Sequence, residues 1–419
     1  MEKYKCKSVG IIGCGIQGVC IGLQLIKKDI PVTIFDRNDP LSLDFQPASY
    51  GNAGHFSPYA VLQFNRTDIL YDVPKMLFSS YGPLALKWNY VTKMIPWFLH
   101  YLKNCNKKSM LHTAKHMNQI LSLSNDAYEE IFREIDTTNL IEKKGIIYVW
   151  TKQNLKSREL EIKVRNDLGI EQKLLTQKEV LELEPNLKPV FDAGVIYESA
   201  MHARDPHGIL KEIFKLFLNK GGKFIQENIT SLKQISENQT IIKSENEEYS
   251  FEKTVIASGA FSKNLTDQLG ENIPLDTERG YHVHFKDMDH LISRPVIFLD
   301  KAFGMTPMNQ GLRVVGTVEL GGLKNPSSKK RIDYLIRSAK ELLPQLQNHE
   351  DEWLGFRPTL PDFLPIIGPS LKNKNIIYAF GHHHLGWTLG AITGKIISGI
   401  VAEEKTNLDL SPYSSKRFN

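Results

Sequence analysis

The chain has 419 residues, 41% of them hydrophobic and 24% charged, and a net charge of +5. That length and balance describe an ordinary water-soluble globular protein of two or three domains, with a core that needs no covalent staples. The charge is mild and no compact Arg/Lys cluster tracks along a surface, which argues against nucleic acid as a partner.

Residues 8–12 (SVGII) read as a buried strand, 17–28 as a helix ending in lysines that suit its negative pole, and 31–35 (PVTIF) as a second strand. Residues 60–135 are helical in pattern. Within them, 86–104 (LKWNYVTKMIPWFLHYLKN) interleaves aromatic residues with lysines. Helices packed over a domain are the plain reading of this region. A face that touches a membrane or an electron-carrying partner is the sharper one, although Pro96 argues against one continuous amphipathic helix. Asp205 and Pro206 open a helix over 206–220, which Gly221 and Gly222 stop. Strands follow at 223–228, 239–243 and 252–257. Residues 281–285 and 312–318 alternate like antiparallel strands, and 331–347 read as a helix. A strand at 375–380 leads through Gly381 to a last helix at 388–403.

Cys6, Cys14, Cys20 and Cys105 form no CxxC pair, so neither a disulfide framework nor a zinc site is suggested, and a reducing, cytoplasmic compartment is expected. No cleavage site for a leader and no uninterrupted apolar run of membrane-spanning length is read.

The chemistry begins at GCGIQG, where Gly13, Gly15 and Gly18 stand in a GxGxxG pattern between strand and helix. Gly13 permits the tight turn, Gly15 lets the backbone approach a pyrophosphate, and Gly18 lets the helix pack on the strand. The helix start then offers N–H groups and partial positive charge to phosphates. Asp36 closes the second strand eighteen residues after Gly18, where an acid accepts from ribose hydroxyls and disfavours NADP. The next strand of this character, TVIASGAF (254–261), comes more than two hundred residues later. That long excursion fits FAD, with a substrate domain inserted into the cofactor domain, better than the consecutive βαβ units of an NAD enzyme.

Five segments, in order, resemble the D-amino-acid oxidase/dehydrogenase (DAO) superfamily of FAD-dependent amine oxidoreductases, and bacterial D-amino acid dehydrogenases most of all. They are VGIIGCGIQG, ASYGNAGHFSP (48–58), VIASGAFS (255–262), GFRPTLPDFLPIIGP (355–369) and GHHHLGWTLG (381–390). The resemblance implies an α/β fold: a Rossmann-type, glutathione-reductase-like FAD domain formed by 1–65, 203–268 and 354–419. An α+β substrate domain on an antiparallel sheet would take 66–202 and 269–353. It implies that Gly13, Gly15, Gly18, Asp36 and Arg37 hold the ADP half of FAD. Ser49, Asn52, Ala53 and Gly54 would line the flavin or its phosphates, Ile229 would lie by the adenine, and Ala257 and Gly259 by the pyrophosphate. Gly386, Trp387 and Thr388 would present N–H groups to the flavin pyrimidine edge, and Arg357 would fork onto the substrate carboxylate. The ribose acid is one methylene shorter than the family's frequent Glu. The 51–54 stretch has no histidine ahead of its Ala-Gly turn, only His55 after it, so the FAD is expected to be non-covalent.

Adjacent residues point different ways, so His382, His383 and His384 do not readily share one metal, and no metal is expected. His382 reads as structural or near the flavin, and His383 or His384 as a pocket residue. Tyr281, His282 and His55 are further pocket candidates; alternation lets only one of the first two face the site. The expected reaction is oxidation of an amino acid, with hydride moving from Cα to flavin N5 to give an imino acid and then a 2-oxo acid. The rivals are oxidation of a secondary or N-methylated amine such as sarcosine, dimethylglycine or a proline derivative, and a non-catalytic FAD-binding scaffold. Oxygen, a quinone or a protein is the electron acceptor. The 86–104 stretch favours the latter two and a peripheral site on the inner face of a membrane.

Overall fold

The computed structural model describes residues 6–42, 46–67, 82, 84–152, 155–236 and 239–418. Two large sheets carry the architecture. The first has six strands in the order Lys223–Gln226, Val32–Asp36, Val9–Ile12, Lys253–Ile256, Ile376–Phe380 and Ile366–Pro369, all parallel except the last. Strand Val9–Ile12 is buried on both faces, as its apolar run requires. Helices Ile16–Ile26, Pro206–Asn219 and Gly386–Val401 share one core with this sheet. On its other face lies a three-stranded antiparallel sheet, Ile229–Ser236, Gln239–Ser244 and Glu248–Phe251. The glycine-turn opening, the Asp205-capped helix and the last helix all form within two residues of the expected bounds.

The second sheet has nine strands and is mainly antiparallel. One strand in from its edge, the long strand Asp276–Phe285 lies between Gly311–Leu320 and the edge strand Glu350–Thr359. Alternation sends Tyr281, Val283 and Phe285 to one face, where they meet Ile332, Leu335 and Leu342 of helix Lys329–Leu342. Each such buried side chain stabilises the fold by about 1.5–3 kcal/mol. That helix stops five residues short of the predicted 347. Leu343 precedes Pro344, whose ring drives it into an extended conformation (φ −134°, ψ 81°). The opposite face carries Glu278, Gly280, His282 and His284, and its histidines meet loop 49–55 through Gly51 O and through Arg313.

The stretch 60–135 holds helices Val91–Asn104, Lys107–Leu121 and Ser124–Phe132. Contrary to expectation, the first runs unbroken through Pro96. Pro96 and Thr92 are both exposed. The carbonyl of Thr92, which would have received the missing N–H, can therefore bond water instead. Among the described residues no helix is long and apolar enough to cross a membrane.

Candidate active site

The glycine turn is built as its spacing demands. Gly13 has φ +109°, and a Cβ there would lie 2.6 Å from the Ala257 carbonyl oxygen. A Cβ on Gly18 would lie 1.8 Å from the Gly13 carbonyl oxygen, so only glycine lets the helix sit on its own turn. Asp36 turns back to this loop: its Oδ2 accepts from Cys14 N–H at 2.8 Å and its Oδ1 from Asn38 N–H at 3.1 Å. Burial raises its pKa, and the backbone donors oppose that. The Ser49 hydroxyl accepts from Ile16 N–H at 3.0 Å, which ties loop 49–55 to the helix start. Arg37 is exposed and stacks over Phe261 at 4.3 Å, while Ala257 N–H donates to Ile12 O. Gly259 has φ +56° with open space at its Cβ position. Ile229 begins the three-stranded sheet, paired with Ser244.

Loop 49–55 is shaped from within. The Asn52 amide donates to Ser49 O at 2.6 Å and its Oδ1 accepts from Gly54 N–H at 2.6 Å. Gly54 has φ +73° and abuts Ala203. Arg313, a buried residue not singled out in the sequence, donates to Tyr50 O at 3.0 Å and Asn52 O at 2.8 Å. Burial draws its pKa down to about 10, so it stays charged at neutral pH. His55 is held rather than free. The Thr306 hydroxyl donates to Ala53 O, which leaves His55 Nε2 to donate to Thr306 at 2.8 Å. Burial pulls His55 to about 3, so the ring is neutral.

The second helix start faces the same loop. Helix Gly386–Val401 begins just after the histidines, and the N–H groups of its first turn have no intrahelical acceptor. The Thr388 hydroxyl donates to His55 O at 3.2 Å and accepts from Ser57 N–H at 3.0 Å, while Gln17 reaches Gly386 O at 2.7 Å. The Trp387 indole nitrogen is buried without a hydrogen-bond partner. Two helix N-termini thus converge on one glycine-rich loop.

The three histidines diverge. His382 meets Thr393 Oγ1 at 3.1 Å and is buried. His383 takes φ +53° and stacks on Phe363 at 4.9 Å. His384 keeps exposed surface beside the Phe64 ring and close to Arg357. Loss of surrounding water and then the charge of Arg357 lower its pKa from the usual histidine value. Among the described residues, no group of three His, Cys, Asp or Glu side chains could hold a metal ion.

Arg357 is half-buried on strand Glu350–Thr359. Its Nη1 donates to Thr317 O at 3.1 Å, a carbonyl aimed by the left-handed backbone of Thr317 (φ +60°). Its guanidinium lies over Gly280, where a Cβ would be 2.3 Å from Nη2. Glu278 stands opposite in register, and no carboxylate among the described residues lies within ion-pair distance of Arg357. Burial raises the pKa of Glu278 and the charge of Arg357 lowers it. His282 also faces this side: its Nδ1 is 2.9 Å from Gly51 O, and its ring stacks on Trp353 at 4.9 Å. Gly51 makes room for that indole, since a Cβ there would lie 2.3 Å from the ring.

Tyr281 lies on the other face of the strand. Its hydroxyl donates to Glu319 at 2.8 Å and accepts from Ser328 N–H at 3.0 Å, and burial pushes its pKa up. Of the neighbouring pair, His282 turns to the site and Tyr281 does not. Trp353, Arg313, Glu278 and Thr317 were missed from the sequence; only the alternation of 276–285 and the recessed glycines at 51 and 280 hint at them.

One helix start is shaped for a pyrophosphate, by glycines that a Cβ would fill, and a second faces loop 49–55. The sheet beside them bears the Arg357 guanidinium, which has no ion-pair partner among the described residues, and these residues fit FAD. This arrangement defines the class of FAD-dependent oxidoreductases. The chain belongs to the DAO, or FAD dependent oxidoreductase, family, whose model it matches over residues 8–400. It is 31% identical to a D-amino-acid oxidase of Bradyrhizobium diazoefficiens, across 98% of this chain and 99% of that one. It is 25% identical to a D-amino acid dehydrogenase of Vibrio atlanticus, across 97% and 99%. Among solved structures it resembles glycine oxidase from Geobacillus kaustophilus, with TM-score 0.75, 21% identity and 98% of each chain covered. FAD is its cofactor.

Proposed function

We propose that this protein oxidises an amino acid at its Cα–H bond, in the manner of a D-amino acid dehydrogenase. The product is an imino acid, which water converts to a 2-oxo acid and ammonia. The observation that carries this reading is Arg357: a guanidinium anchored on one edge by Thr317 O, without an ion-pair partner among the described residues, beside a neutral His384. Such a fork binds a carboxylate and fixes its orientation. FAD, when bound, supplies the two-electron acceptor for the Cα hydride.

Arg357 holds the carboxylate and so sets which substrate face is presented. His384, neutral at pH 7, offers the amine a hydrogen bond without adding charge. No general base is required when the amine binds neutral, and catalysis is then mostly positioning and electrostatics. We assign Gly13, Gly15, Gly18, Asp36, Arg37, Ile229, Ala257 and Gly259 to the ADP half and pyrophosphate. Ser49, Asn52, Ala53, Gly54, Gly386, Trp387 and Thr388 go to the flavin side, with the FAD non-covalent. We assign 1–65, 203–268 and 354–419 to the cofactor unit and the remainder to the substrate unit, with strand Glu350–Thr359 crossing between them. We place the reaction in the cytoplasm, with a quinone or a protein as electron acceptor.

The relatives named for D-amino acids support that substrate class. The test is a product assay with D-amino acids, L-amino acids, sarcosine and proline. A 2-oxo acid formed with ammonia from D-amino acids is expected. Turnover confined to secondary amines overturns the substrate, and stoichiometric hydrogen peroxide overturns the acceptor.

A further inference from the structure

Helix Val91–Asn104 is fixed to the body by one side only. Met94, Trp97 and Tyr101 are buried, the Trp97 indole donates to Thr359 O at 3.2 Å, and the Tyr101 hydroxyl donates to Phe64 O at 2.9 Å. The outward side is not the polar face that a soluble amphipathic helix shows. Ile95, Leu99 and Leu102 are 49%, 57% and 54% exposed at i, i+4 and i+7, and Trp88, just ahead of the helix, is 74% exposed. Of the twelve exposed large hydrophobic residues among those described, six fall between Phe64 and Leu111. The apolar surface is therefore concentrated here.

The sequence on either side of this stripe carries charge of one sign. From Val73 to Asn125 the sequence holds seven lysines and no aspartate or glutamate, in a chain whose whole net charge is +5. Lys93, Lys103, Lys107, Lys108 and Lys115 are exposed. None of the five has a carboxylate within ion-pair distance among the described residues, although lysines elsewhere pair freely, as Lys28 does with Glu404 and Lys395 with Glu130.

The geometry points to this face as a docking surface for a bilayer rich in anionic phospholipid. A narrow apolar stripe with Lys103 on its flank and Lys107 and Lys108 just beyond the helix end is the pattern of a helix lying in the plane of an interface. The stripe enters the acyl boundary, the lysine stems lie along it with their ammonium groups among the phosphates, and Trp88 sits at headgroup level. A protein partner fits less well. It would cover about 800 Å² on each side, whereas this face offers a small apolar stripe bordered mainly by cations. The face lies beside the candidate active site: Tyr101 holds Phe64, whose ring is 5.8 Å from that of His384. The inference stands whether or not the proposed reaction is right.

The test is co-sedimentation of the full-length FAD-loaded protein with extruded vesicles. One set is phosphatidylcholine alone and the other phosphatidylcholine with phosphatidylglycerol, each at low and high salt. Binding to the phosphatidylglycerol vesicles that weakens with salt is expected. The triple variant Lys103→Gln, Lys107→Gln, Lys108→Gln should bind about a hundredfold more weakly. Ile95→Ser, Leu99→Ser, Leu102→Ser should also lose binding. All six positions are exposed, so flavin absorbance and thermal midpoint should match the wild type. No binding to anionic vesicles, or both variants binding as well as the wild type, overturns the proposal. So does a serine variant whose only effect, by sedimentation velocity, is to split a self-associated wild type into monomers.

Discussion

Arg357→Met removes the group on which the proposed substrate orientation depends. One edge of the guanidinium is committed to Thr317 O at 3.1 Å, and the other donors have no carboxylate within ion-pair distance among the described residues. Two charge-assisted hydrogen bonds to a substrate carboxylate, at about 1.5–3 kcal/mol each, amount to about 3–6 kcal/mol. That corresponds to a fall of roughly a hundredfold to ten-thousandfold in kcat/KM. Arg357→Lys keeps the charge and loses the fork, so it should recover about half of that free energy. The assay is steady-state turnover of one D-amino acid and of the matching amine that lacks the carboxylate. The carboxylate-free amine should be a poor substrate for the wild type and nearly insensitive to the substitution. Equal losses on both substrates would refute the carboxylate role and leave Arg357 a structural residue.

Acid should destabilise the fold before carboxylates titrate. His284 and His382 are buried and pulled down to about 3, below an unfolded value of about 6.5. The stability they contribute above pH 6.5 is therefore lost as pH falls toward the folded value, at about 2 kcal/mol per ring by pH 5. Thermal midpoints from pH 7.5 to 5 should fall, and His382→Asn should flatten the slope; a midpoint constant over that range contradicts this. Gly18→Ala pushes a Cβ into the Gly13 carbonyl, so the variant should purify with little flavin absorbance. Gly51→Ala drives a Cβ into the Trp353 indole and breaks its stack on His282, and should cost about 1–3 kcal/mol in chemical denaturation. Acid precipitation should release all the flavin into the supernatant; yellow pellets would mean a covalent link.

What was legible in the sequence followed local rules. The glycine turn, its strand, its helix and Asp36 are consecutive, and each residue type answers to a backbone requirement within thirty residues. The Asp205 cap and the Gly221 stop are equally local. Arg357 and the Gly386 helix start came from resemblance, because nothing near them in the chain states what they face. The orientation of the Tyr281–His282 pair needed the register against Gly311–Leu320, which shifts between Arg279 and Tyr281. Trp353 and Arg313 act on residues far away in the chain, Gly51 and Asn52, so no periodicity points to them. The strands between 141 and 203 are short and lack a clear alternation, and they form because neighbouring strands pair with them.

The measurement that tests the central claim most directly is the absorbance of the bound flavin without oxygen. The purified protein should show an oxidised flavin band, and D-amino acids added singly should bleach it, in wild type and only weakly in Arg357→Met. A flavin band that no amino acid bleaches, primary or secondary, D or L, would contradict the account.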